Sequence, residues 1–521
     1  LLAIAVILPP ALFPKSVGIT WVRALGKIGH GLEIWTRWFS VVRLISVKDG
    51  VVKYVRLRRD STTPERPSRR LTARTERVVD PELPLISSDI KAFAKGELSA
   101  YIEPESGPRT GATSRLFPNI GVLSNAKSVG PDEAEFEETA RLIEKTLGSY
   151  GVQVEVQDIQ VGPRLVRYGL LPGWLGRGEE RSDQDKSGER RAGNRVRVQS
   201  ILAREKDLAL ALKTEKIRIQ PNIPGKSLVG LEAPVPNPIA VGLRQIVESE
   251  RFTKVSNEGG LPIALGQDVG GHDEVLDLKE LPHLLIAGAT GTGKSVCLNT
   301  IVASMLLTNS NEQVRLLMVD PKGVELTPYD GIPHLISPVI SDPADFDPAL
   351  EGLIQVMQQR YQRFRDVSAR DIRSYNDGPY KPMPSLVVVV DELAELMLSE
   401  GRDAESKLVR LAQLGRAAGI HLVLSTQRPT VDVVTGLLKA NIPTRICFTV
   451  ASQVDSRVIL DMNGGEDLMG RGDMLLLTKE STQPRRIQGT YVEEKEISDI
   501  VDFWINQPLP MTIENASEVD I

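Results

Sequence analysis

The sequence predicts an α/β protein. Its larger part is a parallel sheet covered by helices, preceded by a small α/β domain. Three observations carry this. From about residue 255, short apolar runs (PHLLIAG, VRLLMVD, SLVVVVDE, HLVLSTQ, RICFTV, DMLLL) alternate with longer helical stretches. Near-continuous apolar strands between helices belong to parallel sheets buried on both faces. A glycine-rich GATGTGKS then separates one such strand from a helix, and four consecutive valines end in two carboxylates.

Taken from the amino end, Leu1–Phe13 is apolar and uncharged, but shorter than the roughly 20 residues that cross a bilayer. The chain opens on leucine, so this stretch is expected to be the clipped end of a transmembrane segment. Trp35, Trp38 and Phe39 lie near Arg37 and Arg43, like an interfacial belt. Eight arginines (Arg56, Arg58, Arg59, Arg66, Arg69, Arg70, Arg74 and Arg77) follow closely. Basic excess beside a membrane segment marks the cytoplasmic side. The expectation is a protein held at the cell membrane through residues 1–56, its main body in the cytoplasm. Residues 57–117 are rich in Arg, Ser, Thr, Pro and Glu; such a stretch cannot bury enough apolar area to order itself, and reads as a disordered tether.

Residues 118–225 read as the small domain. Pro131–Gly151 has helical apolar spacing with glycine after its end. Val152–Gly162 alternates as a half-buried strand. Asn194–Thr214 reads as a strand followed by a helix, and KIRIQPNIPG as another strand. A polar stretch, Gly176–Gly193, reads as a surface loop. Residues 226–495 form the large domain, and 496–521 a tail.

The bulk numbers bound the function. The chain has 521 residues, 41% apolar and 25% charged, with formal net charge −5. It is no basic nucleic-acid coat, although a local basic surface is compatible with that balance. Two distant cysteines, Cys297 and Cys447, form no disulfide framework, and five scattered histidines show no zinc spacing.

The chemistry concentrates in three segments. Gly288, Ala289, Thr290, Gly291, Thr292, Gly293, Lys294 and Ser295 match the phosphate-binding pattern G-x-x-x-x-G-K-[ST] at each fixed position. Its glycines let the backbone wrap a triphosphate, with successive N–H groups and a helix N-terminus facing the anion. Lys294 is expected on the β- and γ-phosphates and Ser295 on Mg²⁺; Val296 continues the binding segment. At the end of the valine strand, Asp391 is expected in the Mg²⁺ shell and Glu392 as the base that polarises the attacking water. In HLVLSTQRP, Gln427 is the candidate γ-phosphate sensor, beside Ser425 and Thr426. ATP and Mg²⁺ are the implied cofactors. A ring ATPase completes its site with a neighbour's arginine; of Arg410, Arg416 and Arg445, Arg416 at a helix end is the favoured finger.

GATGTGKSV, MVDPKGVELTPYDGIPHL, VVVVDELAELM, LGRAAGIHLVLSTQRPTVDVVTGLLKANIPTRI and DSRVILDMNGGEDLMGRGDML together resemble the FtsK/SpoIIIE family of DNA translocases. The resemblance implies a RecA-like P-loop motor and a homohexameric ring around double-stranded DNA. It also implies ATP-driven chromosome segregation at cell division, among other division proteins. Lys439, Arg445 and Arg457 fall in or near the family's GLLKANIPTRI and DSRVIL stretches and are DNA-contact candidates. Asp320 and Lys322, in its DPK segment, are expected to organise the site. The family usually ends in a winged-helix domain, for which the last residues here are too few. A protein-secretion ATPase of the same motor superfamily is the alternative; such motors typically carry several motor domains in tandem, and this chain has one GKS loop.

Overall fold

The computed structural model describes residues 117–125, 133–173, 195–223, 225–399 and 401–506. The membrane-end and tether readings, the Gly176–Gly193 loop and the last residues of the tail lie outside the described residues, apart from Phe117. Among the described residues no helix is long and apolar enough to cross a membrane.

The small domain is a four-stranded antiparallel sheet in the order β1-β2-β4-β3, with β1 Val154–Val161, β2 Leu165–Pro172, β3 Arg218–Gln220 and β4 Val229–Pro234. Helix α1 (Glu133–Ser149) turns Phe136, Ala140, Ile143 and Leu147 onto it, an i, i+4, i+7, i+11 stripe. Two parts differ from the sequence reading. Arg195–Arg197 forms no strand, only an isolated bridge, and is followed by two short helices, α2 (Val198–Leu202) and α3 (Glu205–Ala211). The small sheet also runs past residue 225, because β4 pairs with both β2 and β3.

The large domain follows with α4 (Leu243–Val247), α5 (Glu250–Asn257), β5 (Pro262–Asp268), β6 (Asp273–Asp277), β7 (His283–Ala287), α6 (Lys294–Thr308) and β8 (Val314–Val319). Next come α7 (Phe346–Asp366), α8 (Ile372–Asn376), β9 (Ser385–Val390), α9 (Leu393–Ser399), α10 (Gly401–Ala418), β10 (Ile420–Thr426), α11 (Gly436–Asn441) and β11 (Thr444–Phe448). The chain closes with α12 (Gln453–Leu460), β12 (Asp473–Leu477), β13 (Arg485–Gly489) and α13 (Glu494–Ile505). The sheet order is β6-β5-β13-β12-β11-β7-β10-β9-β8. The five strands from β11 to β8 are parallel, as the apolar runs predict. The other four extend the sheet antiparallel, so DMLLL belongs to this extension.

Alternation across the pleat shows that both faces are covered. Leu284, Ile286, Val387 and Val389 enter one apolar cluster with α6 and α13. Leu285, Ala287, Val388 and Val390 enter the other with α7 and α10. Residues 496–505, read as the start of a tail, are instead part of this core. Ile497, Ile500, Val501 and Trp504 are buried, and the Trp504 indole N–H donates to Leu306 O at 3.0 Å. Phe117 meets Trp504 edge-on at 6.4 Å, so the segment preceding the small domain lies on the motor.

A buried ion network joins the two domains. Arg486 on β13 donates to Asp473 on β12 at 3.0 and 2.6 Å and to Glu232 on β4 at 2.8 Å. Burial opposes its charge, but the two carboxylates more than offset this and raise its pKa. Removing one partner of a buried pair strands the others, at about 3–5 kcal/mol. Arg486→Met is therefore expected to lower unfolding free energy by about that much, measured by urea titration. Arg141→Ala, at an exposed helical pair, is expected to change it by less than about 0.5 kcal/mol.

Candidate functional site

The glycine loop leaves β7 at the carboxyl end of the parallel strands, where α/β sheets place ligands. Local sequence fixes its path. A Cβ on Gly288 would lie 2.5 Å from the Phe448 Cβ, so only glycine lets β7 and β11 close at that point. Gly291 and Gly293 have φ of +77° and +120°, a region that favours glycine. Ala289 N–H donates to Thr449 O at 2.9 Å, and the Thr292 hydroxyl closes back on Ala289 O at 2.6 Å. Lys294 and Ser295 open α6.

The loop borders a cleft of about 590 Å³. Gly291, Gly293, Lys294, Ser295, Val296 and Gln427 line it, with Phe448 and Tyr491 contributing ring surface. Beneath it lies a buried charged centre. Lys294 Nζ donates to Asp391 Oδ1 at 2.6 Å, to Asp391 O at 2.7 Å and to Ser425 Oγ at 3.1 Å. Lys294 is 3% exposed and Asp391 0%, so each charge depends on the other. The Ser425 hydroxyl also donates to Asp391 O.

Glu392, 2% exposed, is held on several sides. Its Oε1 accepts from the Thr426 hydroxyl at 2.7 Å, and the Gln427 N–H reaches both carboxylate oxygens at 3.2 and 3.1 Å. Lys322 Nζ stands 3.4 Å from Oε2. The Gln427 side chain turns the other way and accepts from the Thr290 hydroxyl at 2.8 Å. Gln427 thus links the glycine loop to the carboxylate through its own backbone and side chain. The set fits magnesium nucleotide: Asp391 Oδ2 is buried without a hydrogen-bond partner, and Ser295 stands at the head of the same helix as the phosphate lysine. Ser295 and Asp391 are the groups that would hold the ion.

The remaining expected residues lie elsewhere. Arg416 is at the end of α10, beside the amino ends of the parallel strands, where it pairs loosely with Glu280 at 3.6 Å. A whole strand separates it from the glycine loop of its own chain, so it takes no part in that site. Lys439 and Arg445 come together on Asp461, each at 2.6 Å. Burial pushes the Asp461 carboxyl up, and the two cations outweigh this and lower it. Arg457 on α12 is exposed, its Nε donating to Gln453 O at 3.2 Å. His421 is buried at 2% exposure, and burial lowers its pKa to about 3; it packs at the start of β10. Burial pushes the Cys297 and Cys447 thiols up to about 12, which leaves both inert.

The structure adds residues that sequence reasoning missed. Arg164 of the small domain lines the cleft and donates to Gly470 O and Arg471 O at 3.1 and 2.9 Å. The next residue, Gly472, donates its N–H to Thr292 O in the glycine loop at 2.8 Å. No spacing in the chain signals this contact, since it joins three distant segments. Glu325 meets Ser295, with Oε1 accepting from Oγ at 2.7 Å; its place in the DPKGVEL stretch is the only sequence signal for it.

Comparison with known proteins places the chain in a family. Residues 242–431 match the model of the FtsK/SpoIIIE family, and 117–237 that of the FtsK alpha domain. The chain belongs to the FtsK/SpoIIIE family. It carries that family's P-loop ATPase motor. It is 41% identical over 418 residues to the protein named DNA translocase FtsK of Listeria monocytogenes, covering 78% of this chain and 52% of that one. It is also 41% identical over 403 residues to DNA translocase SpoIIIE of Bacillus subtilis, covering 75% and 48%. The chain thus spans about half the length of these relatives. Among solved structures it is similar to the conjugation coupling protein TcpA of pCW3 at TM-score 0.47 and 22% identity, over 70% of this chain and 99% of that one. The small sheet that the structure closes with β4 ends at Pro234, close to the end of the alpha-domain match.

The close approach of the glycine loop to Gly472 gives a test. A Cβ on Gly293 would sit 2.7 Å from Gly472 N, at a φ of +120°. Forcing a side chain there costs about 1–3 kcal/mol. Gly293→Ala is expected to weaken ATP binding about tenfold or more, read by titration with a fluorescent ATP analogue, with the circular dichroism spectrum unchanged.

Proposed function

We propose that this chain is the motor of an ATP-driven translocase of double-stranded DNA. It works as a homohexameric ring in chromosome segregation at cell division, held at the membrane through residues 1–56 with the motor in the cytoplasm. The observation that carries the reading is the joined site at the ends of β7, β10 and β9, where the lysine of the glycine loop, Asp391 and a hydrogen-bonded Glu392 meet. The names of the relatives support the DNA cargo.

In the mechanism, the loop N–H groups and Lys294 bind the triphosphate and neutralise its charge. Ser295 and Asp391 would hold Mg²⁺, which supplies further charge neutralisation when bound. Glu392, fixed by Thr426 and the Gln427 N–H, accepts a hydrogen bond from the attacking water and aims it at the γ-phosphorus. Gln427, bonded to Thr290, senses whether that phosphate is present. Arg416 from a neighbouring subunit stabilises charge on the transferring group. On the DNA side, Lys439 and Arg445 brace Asp461 and so shape the loop after α12, while exposed Arg457 is the freer phosphate contact of the three.

Blunt duplex DNA is expected to stimulate ATP hydrolysis by the full chain, with stimulation falling steeply as salt rises. Lys294→Ala and Glu392→Gln are each expected to abolish it. Hydrolysis indifferent to every DNA tested would contradict the translocase reading and favour the secretion-type alternative.

A further inference from the structure

One carboxylate at the end of β8 gathers five backbone N–H groups. Asp320 Oδ1 accepts from Lys322 and Gly323 at 3.2 and 2.9 Å. Its Oδ2 accepts from Val324, Glu325 and Leu326 at 2.9, 2.8 and 2.9 Å. Asp320 is fully buried, and its own N–H donates to Ile340 O at 2.8 Å. The 320–326 loop therefore has one enforced conformation rather than the mobility of a surface turn.

That conformation delivers two side chains to the nucleotide site. Lys322 approaches Glu392 at 3.4 Å, and Glu325 accepts a hydrogen bond from the Ser295 hydroxyl at 2.7 Å. A serine hydroxyl has one proton and two lone pairs. With the hydroxyl hydrogen turned to Glu325, what the oxygen offers to its other side is lone pairs alone, which is what a hard divalent cation takes. The free rotor is also fixed, so no rotation has to be stopped when the ion binds. Second-sphere acceptors of this kind orient a ligand and raise its basicity.

We propose that Glu325 is a positioning residue for the magnesium ligand: it accepts the hydrogen bond of the Ser295 hydroxyl and aims the oxygen's lone pairs at the nucleotide-bound ion, with Asp320 holding the loop that carries it. This rests on the nucleotide-hydrolysing reading of the same site. It assigns Glu325 no contact with the reacting phosphate and leaves the water to Glu392.

The test is the magnesium enhancement of nucleotide affinity, measured on the full chain as the ratio of dissociation constants for a fluorescent ATP analogue in EDTA and in Mg²⁺. Glu325→Ala is expected to lower that ratio about tenfold or more, with the EDTA value unchanged. Glu325→Gln keeps a carbonyl acceptor without the charge, and should stay within about threefold of wild type on the same scale. In a Ser295→Ala background, Glu325→Ala should add nothing, because the hydroxyl that donates to it is gone. An unchanged ratio in Glu325→Ala, a Gln variant as impaired as the Ala variant, or an additive effect in the Ser295→Ala background would each overturn the proposal. So would a Gln variant with normal magnesium enhancement but no hydrolysis, which would make Glu325 the base instead. A wild-type chain with no magnesium-dependent nucleotide binding would defeat the functional reading itself.

Discussion

The arrangement of this molecule hinges on a buried ammonium. Lys294 enters from the helix after β7, passes the end of β10 and bonds to Asp391 at the end of β9. An unpaired lysine at that depth would deprotonate or drag water inward. Pairing it requires that the three strands finish level and in the order β7-β10-β9, with a small side chain on the middle one. Ser425 meets that need: it is fully buried and short enough to let the lysine past, and its hydroxyl accepts the third donor. The all-valine stretch of β9 then has a physical purpose. Buried on both faces, it carries Asp391 and Glu392 to the sheet's carboxyl edge without lateral freedom.

A second tier of contacts makes the small domain part of the same machine. Glu232, Arg486 and Asp473 form a buried bridge between the sheets, and Arg164 holds the carbonyls of Gly470 and Arg471. Gly472 then touches the glycine loop through Thr292. A change in the phosphate-binding loop therefore has a short mechanical path into the small domain. Buried ion pairs add little net stability, but their geometry is demanding, which holds the two sheets in one arrangement.

Sequence made the candidate site legible because its motifs are local. All eight loop residues, the two carboxylates after the valines and Gln427 after β10 sit in short motifs whose neighbours announce strand or helix, and the parallel part of the sheet follows from the same apolar runs. What escaped reading was what depends on distant pairing. The strand β4 lies past residue 225 and reads as part of the large domain until it is seen between β2 and β3. The antiparallel β12 (DMLLL) reads like a parallel strand, while β6 (DEVLD) and β13 (RRIQG) are too polar to stand out as strands at all. The helix at Glu494–Ile505 carries its apolar stripe close to the chain's end, where a tail was expected. Lys439 and Arg445 carry the charge of DNA ligands, yet their nearest task is Asp461, three-dimensional information that composition does not hold.

The most direct measurement is a structure of the full chain bound to a non-hydrolysable ATP analogue and Mg²⁺. The account predicts the triphosphate wrapped by residues 288–295, Lys294 on the β- and γ-phosphates, and the ion between Ser295 and the Asp391 side. Glu392 should face the γ-phosphorus across one water. A nucleotide bound elsewhere, or Lys294 remaining wholly on Asp391 with the phosphates out of its reach, would contradict it.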